Sequence, residues 1–231
     1  MKLRWLGHSA FELIGNDDMD ILVDPFITEN PSCPLSVDEL NPDVICITHA
    51  HADHFGDTIE IAKNSDSLVV CNYEISHYLQ MKGIKSIGIN CGARLSFDNV
   101  NIRMLKAEHS SSYDFEMKME YAGNAGSFLF EYKDVKIFHA GDTGLFSDLK
   151  FVVGDVYKPD IALLPIGNIF TMDSHEAAIA TRWINPKIVI PMHYNSFPSI
   201  KQDANQFKKL VKKEAPQCET IILNPLDIIE L

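Results

Sequence analysis

An α/β fold is the class this sequence predicts, on three observations. Short apolar runs of strand length alternate with helical segments. Several of those runs are apolar at every position, as strands buried on both faces are. Polar residues able to bind metal recur just past the ends of the runs, where open α/β sheets place their sites. The elements follow in order. Lys2–Leu6, Ala10–Ile14 and Asp20–Val23 read as strands divided by polar or glycine-containing breaks. Asp24-Pro25 closes the third, because a residue before proline avoids the helical region. Ser36-Val37-Asp38-Glu39 carries a capping-box pattern for a short helix. Val44–Ile47 is a wholly apolar strand, Asp57–Asn64 a helix and Leu68–Cys71 a buried strand. Tyr73–Met81 is a helix ended by Gly83, and Ile84–Ile87 is a strand. Then come strands at Asn101–Leu105, Ser127–Tyr132, Val135–His139 and Ile161–Pro165. Glu176–Ile184 is a helix and Lys187–Ile190 a strand. Asp203–Lys213 is a helix whose terminal lysines suit its dipole, and Ile221–Leu223 is a closing strand. Ser110–Asn124 is polar and unpatterned, a loop that suits a lid over a site. No repeat or linker interrupts the 231 residues, which predicts a single domain, 1–231, with two α/β halves.

Composition narrows the partners. Lys and Arg number 20 against 32 Asp and Glu, a net charge of −12. That opposes binding to a nucleic-acid backbone or an anionic membrane through bulk charge. No apolar run approaches the ~18 residues that cross a bilayer, and the N-terminus reads as a strand rather than a signal peptide. The cysteines, Cys33, Cys46, Cys71, Cys91 and Cys218, are scattered, odd in number and without a CxxC pair. They read as reduced thiols of a cytoplasmic protein.

The strongest chemical signal is Thr48-His49-Ala50-His51-Ala52-Asp53-His54, directly after the strand Val44–Ile47. With this composition, a chance HxHxDH match is on the order of 10⁻³, so the motif is specific. Imidazole and carboxylate are the usual ligands of borderline divalent ions. Four residues cannot close two metal shells. His109, Asp142 and His193, each just beyond an apolar strand, are the candidates to complete them. His8 and Asp24 sit between strands or at a strand end, where they could orient a ligand or touch substrate. His139 reads as a packed core histidine, His77 as surface or core, and His175 as facing solvent. Tyr194 and Asn195 follow a candidate ligand and could reach substrate.

In this order, HxHxDH, a lone His, Gly-Asp-Thr and a lone His after a strand, the chain resembles the metallo-β-lactamase superfamily over essentially its whole length. Gly7-His8-Ser9, Asp24-Pro25-Phe26, Glu108-His109-Ser110-Ser111, Gly141-Asp142-Thr143-Gly144, Leu164-Pro165-Ile166-Gly167 and Pro191-Met192-His193-Tyr194 are similar to a branch of metal-dependent hydrolases akin to L-ascorbate-6-phosphate lactonases. The resemblance implies a four-layer αβ/βα sandwich of two mixed sheets with helices on the outer faces. It implies that His49, His51 and His109 hold one metal, that Asp53, His54 and His193 hold a second, and that Asp142 bridges both. Two divalent ions follow, Zn²⁺ first and Mn²⁺ as the alternative.

The expected enzyme is a metal-dependent hydrolase in which a metal-activated hydroxide attacks an ester, lactone or phosphodiester of a small, anionic substrate. Asp53, His8 and Asp24 are the expected catalytic residues, with Asp53 accepting a proton. No GxSxG elbow and no phosphate-binding glycine motif competes with that reading. An RNA-processing nuclease of the same superfamily is opposed by the charge and by the lack of a basic insertion. A non-catalytic metal-binding protein is opposed by the complete ligand set. Homo-oligomerisation is compatible with the sequence. The lid and the loop around Asn168 hold the choice of substrate and carry no readable motif.

Overall fold

The computed structural model describes residues 1–15, 19–97, 99–115 and 118–230. The chain divides into two compact units, neither continuous in sequence. One comprises Met1–Ala93, Ser110–Gly126 and Asn224–Leu231, the other Arg94–His109 and Ser127–Leu223. Each is built on a mixed seven-stranded sheet with helices, the α/β class expected.

In the first unit the strands run in the order Ile228–Glu230, Lys2–Gly7, Ala10–Ile14, Ile21–Val23, Val44–Cys46, Leu68–Cys71, Ser86–Gly88. Pairing is antiparallel as far as Ile21–Val23 and parallel beyond it. The three-residue strands Ile21–Val23 and Val44–Cys46 are buried at every position, which is why both read as unbroken apolar runs. Their parallel register sets Val23 opposite Cys46, so Asp24 and the Thr48–His54 segment leave the sheet side by side. Leu22, Ile45, Ile61, Val69, Ile75 and Leu79 are part of one buried cluster.

In the second unit the order is Glu219–Thr220, Ile188–Met192, Ile161–Pro165, Val135–His139, Gly126–Tyr132, Val100–Lys106, Arg94–Ser96. The first four are parallel. Asp142, Gly167 and His193 therefore follow parallel strands at one edge of this sheet. The helices Ser174–Ile184 and Ala204–Glu214 pack against each other. Asp173 caps the former by accepting from the His175 and Glu176 amides.

Four expectations need correction. The strand expected at Ile84–Ile87 lies at Ser86–Gly88. Ile84 belongs to the cap of the preceding helix, where its amide donates to Leu79 O across Gly83 in left-handed conformation (φ 75°). The strand expected at Ile221–Leu223 is confined to Glu219–Thr220. Ile221 N–H still donates to Val189 O, but the chain then leaves the sheet toward Asn224-Pro225. Within the segment expected to be an unpatterned loop, Ser112–Phe115 and Lys118–Tyr121 form an antiparallel hairpin. Glu116 and Met117, inside that segment, lie outside the described residues. A helix at Leu149–Tyr157 was not anticipated, because its π-type hydrogen bonding and its apolar run broken by Gly154 lack a 3.6-residue rhythm. Gly154 is needed there: a Cβ would lie 2.3 Å from Trp183 O.

Among the described residues the cysteines form no disulfide, and Cys46, Cys71 and Cys218 are buried. Among the described residues no helix is long and apolar enough to cross a membrane. Leu22 is fully buried on a central strand of the first sheet, so Leu22→Ala should cost about 2–5 kcal/mol. Urea unfolding should show the loss as a lower midpoint at unchanged slope.

Candidate functional site

In the first unit, Asp24 organises the candidate ligands. Its carboxylate is fully buried and accepts from the Thr48 amide (2.8 Å) and the Thr48 hydroxyl (2.7 Å). It also lies 2.7 Å from His54 Nδ1. A buried carboxylate with a neutral imidazole at this distance draws the ring proton to Nδ1 and leaves Nε2 as the electron-pair donor. Thr48 Oγ1 lies 3.0 Å from His49 Nδ1 as well, so one hydroxyl links Asp24 to a second ring. Gly56 ends the short helix Ala52–Phe55 and brings it against the segment after Asp24. At φ 40°, a Cβ there would sit 2.4 Å from Pro25 O and 2.8 Å from Phe26 Cα.

The remaining ligand-type side chains of this unit gather around that anchor. His49 Nε2 is 3.0 Å from His51 Nδ1, and the His49 and His54 ring centroids are 4.1 Å apart. His8 Nε2 is 3.2 Å from Asp53 Oδ2. Ligand atoms of His8, Asp53 and His54 all fall within 4.8 Å of one another. His8 reaches this position because Gly7 and His8 both take positive φ (99° and 52°) in the tight turn between the first two strands. Its ring is buried edge-on against Phe26, at 5.5 Å between centroids. Asp53 keeps 30% of its side chain exposed, the accessibility a proton acceptor needs.

The second unit carries its own set. His193 Nε2 lies 3.1 Å and His109 Nε2 3.6 Å from Asp142 Oδ2. The Glu108 amide donates to Thr143 Oγ1 and the Gly144 amide to Glu108 O, which fastens the His109 segment to the Asp142 loop. The Met172 amide donates to Thr143 O, tying the loop after Gly167 to the same point. His193 has a left-handed backbone (φ 54°) and is buried. Gly167 lies against it: a Cβ on Gly167 would stand 2.4 Å from His193 O and 2.9 Å from His193 Nδ1.

These donor sets suit divalent ions. Ligand atoms around a tetrahedral ion with bonds of about 2.0–2.1 Å lie roughly 3.3 Å apart. The His49–His51 separation of 3.0 Å and the His193–Asp142 separation of 3.1 Å fall close to that spacing. Imidazole with carboxylate and no thiolate suits zinc or manganese alike.

His139 is buried on its strand, where its Nδ1 accepts from the Gly141 amide, as a core histidine does. His77 and His175 are exposed. Tyr194 is buried, which pushes its phenol up. Asn195 is turned to local structure, its side chain accepting from the Gln202 amide. Thr48 and Gly167 were not among the residues anticipated from sequence. Thr48 stood inside the histidine motif, but its two hydrogen bonds to Asp24 need the parallel pairing of two strands to be visible.

A family profile described as a beta-lactamase superfamily domain matches residues 2–193. A UPF0173 metal-dependent hydrolase of Methanobrevibacter smithii is 49% identical over 231 residues, 100% of this chain and 97% of the relative. Another, from Methanosphaera stadtmanae, is 48% identical over 227 residues, 97% of each chain. The solved structure of Igni18, a metallo hydrolase of Ignicoccus hospitalis, matches with a TM-score of 0.89 at 36% identity, covering 99% of this chain and 97% of its own.

The Gly167 contact yields a direct expectation. Gly167→Ala should push His193 away from Asp142 and weaken zinc binding by about 10–100-fold, the scale of a lost supporting contact. Competition with a chromophoric chelator measures it, and unchanged affinity in a folded variant would contradict the role given to Gly167.

Proposed function

The chain belongs to the beta-lactamase superfamily and, within it, to the UPF0173 metal-dependent hydrolases, and from that premise we propose that it hydrolyses an ester, lactone or phosphodiester bond of a small molecule at a dinuclear centre. His49, His51 and His109 would hold one ion, Asp53, His54 and His193 the other, and Asp142 both, with zinc as the first choice of metal. When bound, such ions acidify a water toward neutrality and polarise the scissile oxygen.

The chain's own residues divide the remaining work. Asp24 holds the His54 proton at Nδ1, so the ring presents its other nitrogen. Thr48 passes the same constraint to His49. His8, from its left-handed turn, holds Asp53 through Oδ2 at 3.2 Å. The half-exposed Asp53 carboxylate takes the proton released as the nucleophile attacks and returns it to the leaving group. His8 and Asp24 are therefore positioning residues, and Asp53 is the acid–base group. The observation that carries this reading is the Thr48–Asp24–His54 chain, because an imidazole buried against a buried carboxylate is the arrangement that orients metal-ligating histidines.

The activity test joins metal analysis to a panel of chromogenic ester, lactone and phosphodiester substrates. The purified protein, or the protein reconstituted with Zn²⁺ or Mn²⁺, should turn over at least one class. His51→Ala should lose that activity by about 10²-fold or more, as removal of a metal ligand or its orienting partner does. A chain that takes up no metal and stays inert after both ions are added would sink the proposal.

A further inference from the structure

A cavity of about 330 Å³ opens in the first unit beside the histidine motif. Four rings, Phe26, Phe55, Tyr78 and Tyr113, are among its walls. Tyr78 and Tyr113 lie 4.7 Å apart between centroids, with Phe55 within 6.4 Å of both. The lining also carries Ala50 and Ala52, the residues on either side of His51. Phe26 is the ring packed edge-on against His8, and Phe55 directly follows His54. Tyr113 comes from the strand Ser112–Phe115 and supplies one wall of the cavity.

The charge of the walls restricts what fits. Among the described residues no lysine or arginine lines the cavity, whereas Asp57 and Glu29 do. Asp57 Oδ2 is engaged by the Ile27 and Thr28 amides. Glu29, at the exposed rim, leaves a negative charge at the entrance. Lys82 sits over the Tyr78 ring, 5.4 Å from its centroid, and is not a lining residue. Burial pushes the Tyr113 phenol up to about 12, with smaller contributions from neighbouring groups including Tyr78 and Glu74, so it stays neutral. Aromatic walls with an acidic rim favour an uncharged ring and disfavour an anion.

We propose that this cavity is the substrate's side-group pocket and takes a neutral, flat apolar ring, so that the enzyme acts on ring-bearing esters or lactones rather than on sugar phosphates. The assignment to substrate rests on the hydrolase reading above, while the binding itself needs neither metal nor turnover. The alanines flanking His51 bring such a ring's attachment point alongside the motif that would carry the chemistry.

The test is a ¹⁹F NMR titration of the metal-free full chain with 4-fluorobenzyl alcohol and, separately, 4-fluorobenzoate. The alcohol should bind saturably and at least about tenfold more tightly than the benzoate, the scale of one charge mismatch plus one ring contact. Tyr113→Ala should weaken the alcohol about tenfold. Thr28→Trp, at an exposed rim position, should block binding without opening the core, and Glu29→Lys should narrow the gap between the probes. Equal or tighter binding of benzoate overturns the proposal, as does alcohol binding indifferent to Thr28→Trp. A protein that binds the alcohol as expected but hydrolyses nothing keeps the pocket and loses the hydrolase reading. An active enzyme that ignores both probes overturns the pocket alone.

Discussion

The buried carboxylate of Asp24 fixes the geometry of the histidine cluster. It receives three groups at 2.7–2.8 Å: the Thr48 amide, the Thr48 hydroxyl and His54 Nδ1. A charged acceptor in a fully buried site is costly unless it is satisfied, and here each contact also does a second job. The amide bond fixes where the histidine motif leaves its strand. The hydroxyl reaches on to His49, and the imidazole contact decides which nitrogen of His54 is presented. The parallel register of Ile21–Val23 with Val44–Cys46 makes all three possible, since it brings the two strand ends together. The geometry of the histidine cluster thus descends directly from the pairing of two three-residue strands.

A common backbone device recurs at these positions. His8, Asp24 and His193 are all non-glycine residues at positive φ. Such conformations cost about 1–3 kcal/mol each and persist only where the surroundings over-determine them. Each residue stands immediately past a strand, where the chain must turn sharply to aim a side chain instead of continuing. Glycines absorb the crowding that results. Gly56 lets the Ala52–Phe55 helix close on Pro25 and Phe26, and Gly167 lets His193 sit flush against its neighbour. The strain and the close approaches are two sides of one requirement, that short side chains converge from separate strand ends.

The sequence was legible wherever chemistry demands rare residue types at fixed spacing. HxHxDH, His109, Asp142 and His193 stand out because histidine and aspartate past apolar strands have few structural reasons to be there. The apolar strands were legible for a similar reason: burial on both faces leaves no polar position to confuse the pattern. What escaped is what depends on partners distant in the chain. Thr48 became a hub only through Asp24, and Gly167 only through His193. The aromatic cavity draws Phe26, Phe55, Tyr78 and Tyr113 from four separate segments, so no local pattern groups them. Ile84 looked like a strand residue because local pattern cannot register its role in the helix cap. The net charge of −12 was read as opposing a nucleic-acid backbone or an anionic membrane while leaving room for a small anionic substrate, and the acidic rim of the cavity is what turns the proposal toward an uncharged ring instead.

If Asp24 acts through His54 and Thr48 to set up metal binding, removing its charge should be felt at the metal. Asp24→Asn keeps the size and the acceptor toward the Thr48 amide but presents an NH2 to the Thr48 hydroxyl and His54 Nδ1. Equilibrium zinc titration of wild type and Asp24→Asn, with circular dichroism to establish that both are folded, tests it most directly. One binding step should weaken by about 10–100-fold while the fold survives. Identical zinc affinities in two folded proteins would contradict it.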